Sequence, residues 1–122
     1  MAGDALEIPG YRLEARLGAG GAGTVFRATQ LSMERAVALK ILSPKLSDSP
    51  EYVERFIREA RAAARLNHPN VVRTFDAGTA GGRHYYAMEF VAGTSLRKRL
   101  EAGPMPAAEA LSVVTDVARA LD

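Results

Sequence analysis

Cysteine is absent from the 122 residues, so disulfides and thiolate metal sites are excluded while the compartment is left open. An excess of either charge sign is nearly absent too. Sixteen Lys and Arg against fourteen Asp and Glu leave a net +2, which gives no argument for nucleic acid or a membrane surface as partner. No apolar run approaches the roughly 20 residues of a spanning helix. The N-terminal stretch Met1 to Pro9 has an acid at position 4 and no apolar segment, so it does not read as a secretory signal. Internal repeats and low-complexity tracts are also missing. A cytoplasmic protein without a bound metal of its own is the expectation. The 48% hydrophobic and 25% charged residues that remain are those of an ordinary globular domain, long enough for one modest core.

The chain is organised around Leu17-Gly18-Ala19-Gly20-Gly21-Ala22-Gly23-Thr24-Val25, with glycines at the G-x-G-x-x-G spacing. Without Cβ atoms such a loop can turn tightly and bring backbone N–H groups up to an anion such as phosphate. A plain flexible turn between strands has the same spacing, so context must decide. A P-loop needs G-x-x-x-x-G-K-[ST], and Thr24 stands where the lysine belongs. A dinucleotide-binding loop needs a helix to follow and an acid about 20 residues on. Here Thr24 to Thr29 is rich in β-branched and aromatic residues and reads as a strand.

Around this loop the elements fall in order. Residues 1–10 read as a disordered lead. Tyr11 to Leu17 alternates as a half-buried strand, the second strand ends near Gln30, and Arg35 to Leu42 is a third, apolar from Ala36 on except for Lys40. Ser47-Asp48-Ser49-Pro50 signals a helix from 50 to 66 with Val53, Phe56, Ile57, Ala60, Ala63 and Ala64 on its apolar face. Arg58, Arg61 and Arg65 form its solvated face. Glu59 borders the apolar stripe, either as an edge residue pairing locally or as partner to a buried cation. Asn67-His68-Pro69-Asn70 ends the helix, with His68 as a turn histidine. Val71 to Asp76 is read as strand four, 77–82 as a loose turn and His84 to Val91 as strand five, His84 lying at its surface end. Ser95 to Ala102 is a short helix with a Thr94 or Ser95 cap. Ala107 to Asp122 is a helix with Leu111, Val114, Val117 and Leu121 in one stripe and no stop signal, as if cut mid-helix.

Five stretches in this order carry a family resemblance. They are Leu17 to Val25, Val37-Ala38-Leu39-Lys40, Arg55 to Ala60, Leu66-Asn67-His68-Pro69-Asn70-Val71-Val72, and Tyr86 to Gly93. Together they resemble the ATP-binding lobe of protein kinases, most of all the bacterial serine/threonine kinases. The resemblance implies an α+β fold: a five-stranded antiparallel sheet with one long helix over residues 11–92, then two helices of an incomplete larger lobe over 93–122. It implies an ion pair between Lys40 and Glu59, with Lys40 on the ATP phosphates. It further implies a phosphate cover of Leu17, Gly18, Ala19, Gly20, Gly21, Ala22, Gly23 and Thr24. Val25 and Ala38 would pack on adenine, Met88 would guard the back of its pocket, and the Glu89 carbonyl and Val91 amide would bond its edge.

The sequence departs from that family in two ways. Ala22 replaces the usual aromatic or methionine at the loop tip. No H-R-D-x-x-x-x-N stretch and no D-F-G occur, so the catalytic base and the Mg²⁺ ligands of the complete enzyme are not in this sequence; Asp76-Ala77-Gly78 is read as a turn. The expectation is an ATP-binding portion of a kinase that acts on protein serine or threonine, inactive as 122 residues. The alternative is a short non-catalytic module that binds nucleotide or a kinase partner. Self-association through Leu111, Val114, Val117 and Leu121 is expected if nothing covers that stripe.

Overall fold

The computed structural model describes residues 7–20 and 23–121. They divide into two units, 7–66 with 73–90 and 67–72 with 91–121. The first is a five-stranded antiparallel sheet with helices. Its strands are β1 (Tyr11–Ala19), β2 (Gly23–Gln30), β3 (Arg35–Leu42), β4 (Thr74–Ala80) and β5 (Arg83–Glu89), in the spatial order β1-β2-β3-β5-β4. Between β3 and β4 lie α1 (Pro44–Ser47) and α2 (Pro50–Ala64). The expected sheet and long helix are both present.

β3 is the central strand, and its two sets of alternating side chains serve two apolar clusters. Val37, Leu39 and Ile41 join Ile8, Tyr11, Ala28 and Ala87, with Leu13, Phe26, Phe75 and Tyr85 packed around them. On the other side Leu42 joins Phe56 and Ala60 of α2 and Tyr86 of β5, with Leu46, Val53 and Met88 alongside. The helix docks there because its apolar residues recur at three- and four-residue spacing, and Phe56 and Ala60 are buried while Arg58, Arg61 and Arg65 face water. Ala64, expected on the apolar face, is exposed at the last turn. Pro50 takes the first helical position, which needs no N–H, but the Ser49 hydroxyl makes no capping hydrogen bond. One element escaped the sequence reading: the Ser43-Pro44 break opens the single-turn α1.

Two expectations need correction. The lead was read as disordered through residue 10, yet Ile8 is buried, 2% exposed, in the core of the sheet. The Tyr11 amide donates to the Ile8 carbonyl at 3.0 Å, and the Leu31 amide to the Gly10 carbonyl at 2.9 Å. These bonds turn the chain back so that Ile8 caps the cluster; Met1 to Leu6 lie outside the described residues. Second, Asp76-Ala77-Gly78 is not a turn. β4 continues to Ala80, and these residues pair with Ala87, Tyr86 and Tyr85. The reversal is confined to Gly81 and Gly82, both at positive φ (57° and 77°), as a two-residue hairpin requires. Asp76 is anchored by the Tyr11 hydroxyl, which donates to its Oδ2 at 2.8 Å.

The second unit holds α3 (Leu96–Glu101) and α4 (Ala107–Leu121). Ser95 caps α3, its hydroxyl oxygen accepting from the Lys98 amide at 3.1 Å. Arg99 and Glu109 pair at 3.1 Å between the two helices. Residues 67–72, placed with the sheet in the sequence reading, belong to this unit: the Asn70 side-chain amide donates to the Asp116 carbonyl at 2.9 Å. His68 is a turn histidine as expected, its Nδ1 accepting from the Asn70 amide.

Substituting Ile8→Ala removes a buried side chain from the sheet cluster. It should destabilise the fold by about 2–5 kcal/mol, the usual cost of truncating a core isoleucine. Thermal melting checks this. An unchanged midpoint would mean that the chain before Tyr11 is not part of the core.

Candidate nucleotide site

Residues directly opposite in an antiparallel ladder share a face. Val25 of β2, Lys40 of β3 and Tyr86 of β5 form one such row. Arg27, Ala38 and Met88 form the next. Val25, Ala38, Lys40 and Met88, nominated from the sequence, therefore lie together on the face that α2 covers. Ala38 is buried and Met88 half-buried, while the Lys40 side chain keeps 24% of its surface.

Lys40 is matched as expected: its Nζ lies 3.1 Å from Glu59 Oε1. Glu59 reaches it because Phe56 and Ala60 pin that face of α2 to the sheet, and residue 59 stands at the stripe's edge. A second donor was not foreseen. The Tyr86 hydroxyl donates to the same Oε1 at 2.8 Å. Tyr86 is buried, and a buried phenol needs such a partner. These two hydrogen bonds, first Tyr86's and then Lys40's, hold the Glu59 carboxyl below its ordinary pKa despite partial burial. Desolvation and the adjacent carboxylate push the Tyr86 phenol up. Tyrosine in an alternating strand carries no signal of a functional contact, which is why sequence reading passed over it.

The glycine stretch is mostly hairpin. β1 runs to Ala19 and β2 starts at Gly23, with Gly18 opposite Val25 and Ala19 opposite Thr24. The ladder slips between Arg16 and Gly18, and Leu17, in the slip, is half-exposed. Gly20 N–H donates to the Gly23 carbonyl at 2.9 Å across the tip. Gly21 and Ala22 lie outside the described residues. The glycines differ in what surrounds them. A Cβ on Gly23 would run into the Ile41 backbone carbonyl, so that position is closed by the fold. At Gly18 and Gly20 a Cβ would meet no atom of the described residues within 4 Å.

Glu89 ends β5, where its amide donates to the Arg73 carbonyl at 2.8 Å. Val91 belongs to the second unit and is exposed. A separate groove of about 220 Å³ lies between α2 and the β4–β5 hairpin, lined by Phe56, Ala60, Gly78, His84 and Tyr85 among others. It holds no carboxylate and no glycine cradle, whereas Lys40 and Glu59 flank a smaller cleft of about 50 Å³ with Tyr52, Arg55 and Phe56. The charged pair marks the site better than the larger hollow does.

Comparison with known proteins identifies the family. Residues 11–122 match the model of the protein kinase domain. The chain is 45% identical over 113 residues to the serine/threonine-protein kinase PknJ of Mycobacterium tuberculosis, covering 93% of this chain and 19% of that one. It is likewise 45% identical to pkn3 of Myxococcus xanthus, covering 91% and 21%. The crystal structure of the M. tuberculosis PknI kinase domain superposes with a TM-score of 0.79 at 33% identity, covering 96% of this chain and 48% of that one. The chain thus spans about a fifth of the length of the curated relatives it matches and about half of a solved kinase domain. By its match to the protein kinase domain over residues 11–122, this chain belongs to the protein kinase family.

Proposed function

We propose that this chain is the ATP-binding part of a serine/threonine protein kinase, and that the complete enzyme transfers the γ-phosphoryl group of ATP to protein hydroxyls. The observation that carries the reading is the Lys40–Glu59 pair at 3.1 Å, on the sheet face that also bears Val25, Ala38 and Met88. An ammonium held there by a carboxylate suits the α- and β-phosphate oxygens. The open space around Gly18 and Gly20 suits close approach of a phosphate to backbone N–H groups. Leu17, Ala19, Gly21, Ala22 and Thr24 complete the proposed phosphate cover. Ala38, small and buried, suits one adenine face with Val25 on the other; the Glu89 carbonyl and Val91 amide are the proposed edge contacts. Mg²⁺ would neutralise the phosphates in the complete enzyme, through ligands that this sequence does not contain. Use of ATP fits a cytoplasmic protein.

In the second unit Leu111, Val114, Val117 and Leu121 are all more than half exposed. Covering each would contribute roughly 1.5–3 kcal/mol. We therefore propose that the 122-residue chain associates with itself through α4.

Calorimetric titration with ATP tests the site. Lys40→Met should weaken binding at least about tenfold, a change of roughly 1.4 kcal/mol. Gly18→Ala should also weaken it while leaving the melting midpoint unchanged or slightly raised, since the new methyl meets only open space. Gly23→Ala should instead lower the midpoint, because backbone must move. No phosphate should pass to a generic protein acceptor. Binding that is indifferent to Lys40 would overturn the assignment.

The pair also sets a pH dependence. The folded-state pKa of Glu59 is below its ordinary 4.5, so its contribution is fully present above that value and is lost as pH falls through the folded pKa. Denaturant melts between pH 6 and pH 3 should show stability falling on the acid side, with a smaller fall in Glu59→Gln. For α4, light scattering should find association that Leu111→Glu with Val114→Glu abolishes; a monomeric unsubstituted chain would refute it.

A further inference from the structure

We infer that Tyr86 is a positioning residue for the Lys40–Glu59 pair, its hydroxyl holding Glu59 Oε1 where the lysine can reach it. Glu59 does not hold itself there. More than half of its side chain is exposed, and a half-exposed ion pair between two flexible side chains is weakly ordered. Arg55, one turn earlier on α2 and lining the same cleft, offers the carboxylate another cation. Tyr86 supplies what the lysine lacks. Its ring is buried and packs on Phe56 of α2, with centroids 5.1 Å apart, so the hydroxyl has few positions to choose from. Its backbone is fixed directly opposite Lys40 in the β3–β5 ladder. The hydroxyl and the ammonium converge on one oxygen, at 2.8 and 3.1 Å. Tyr86 therefore links three elements: β5, which carries it; β3, which carries the lysine; and α2, which carries the glutamate.

Tyr86 is not one of the proposed nucleotide contacts; its hydroxyl bonds Glu59, and it acts through that residue. A role limited to satisfying a buried phenol would make the Tyr86 and Lys40 contributions to Glu59 independent. Positioning makes them interdependent: without the hydroxyl, Glu59 spends time near Arg55 or in water, and Lys40 influences it less.

The groups bonded to the carboxylate are Lys40 and Tyr86, with Arg55 lining the same cleft over the Tyr52 ring, and the first two can be removed singly and together. The experiment follows the Glu59 side-chain carboxyl by ¹³C NMR through a pH titration. It compares the unsubstituted chain with Tyr86→Phe, Lys40→Met and the double variant. Phenylalanine keeps the ring and its packing, and the same spectra report whether the fold is kept. Tyr86→Phe should raise the Glu59 midpoint. The rise caused by Lys40→Met should shrink by about half or more once the hydroxyl is gone, the non-additivity expected of residues in one network. An unmoved midpoint in Tyr86→Phe, or strictly additive effects, would overturn the inference. Only its consequence for ATP rests on the proposed function: Tyr86→Phe should weaken ATP binding about three- to tenfold. The carboxyl titration involves no nucleotide. An unsubstituted chain that fails to bind ATP therefore counts against the proposed function, while the carboxyl cycle still decides the role of Tyr86.

Discussion

A strand covered on both faces cannot carry a free charge, and that constraint governs the sheet unit. β3 sits between β2 and β5, with the Ile8–Tyr11 cluster on one side and α2 on the other. Val37, Ala38, Leu39, Ile41 and Leu42 are all buried. Lys40, in their midst, must keep its head near water or find a partner. It does both, retaining a quarter of its side-chain surface while meeting Glu59. The partner comes from α2 because the residues flanking Glu59 on that helix, Phe56 and Ala60, are the ones that dock it. Apolar packing and charge matching therefore specify the same register of helix on sheet. An α2 rotated by one residue would expose Phe56 and move Glu59 away from the lysine together.

Much of this was legible from alternation and helical spacing. Strand β3 with its single lysine, the apolar face of α2 and the borderline place of Glu59 follow from counting residues. Features that depend on partners distant in sequence did not show. Ile8 reads as part of a disordered lead because the few apolar residues before Pro9-Gly10 form no sustained period; only the turn back through Tyr11 makes it core. Asp76-Ala77-Gly78 carries two residue types common in turns, Asp and Gly, yet cross-strand pairing with β5 keeps it extended. Tertiary pairing overrides weak local preference in both cases. The Tyr86 contact is hidden for a different reason. Position in a ladder can be read from a sequence, but the reach of a phenol across to a helix cannot.

The glycine stretch separates two demands that a spacing motif runs together. Gly23 is required by the fold itself, since β2 passes too close to the Ile41 carbonyl for any side chain. Gly18 and Gly20 are under no such pressure from the described protein atoms. Glycine costs conformational entropy in a strand, so Gly18, which β1 carries without a packing reason, has a cost that the fold does not offset. A ligand that needs the backbone bare would account for it, and the pair formed by Lys40 and Glu59 supplies the complementary charge.

The two long helices test what amphipathic spacing can and cannot say. α2 and α4 are both 15 residues with apolar positions three and four apart. On α2 the stripe has a sheet to cover, and Phe56 and Ala60 are buried. On α4 no residue is buried, and Leu121 keeps 82% of its surface. The pattern in the sequence thus encodes a demand for a surface, and the fold decides whether that demand is met within the chain. Isolated helices of this length are marginal in water, so α4 depends on something beyond its own propensity. Its Arg99–Glu109 pair and the Asn70 bond to Asp116 are polar tethers that fix its position without covering its stripe. With those tethers in place the stripe still keeps more than half of its surface, so the demand it encodes is not met among the described residues.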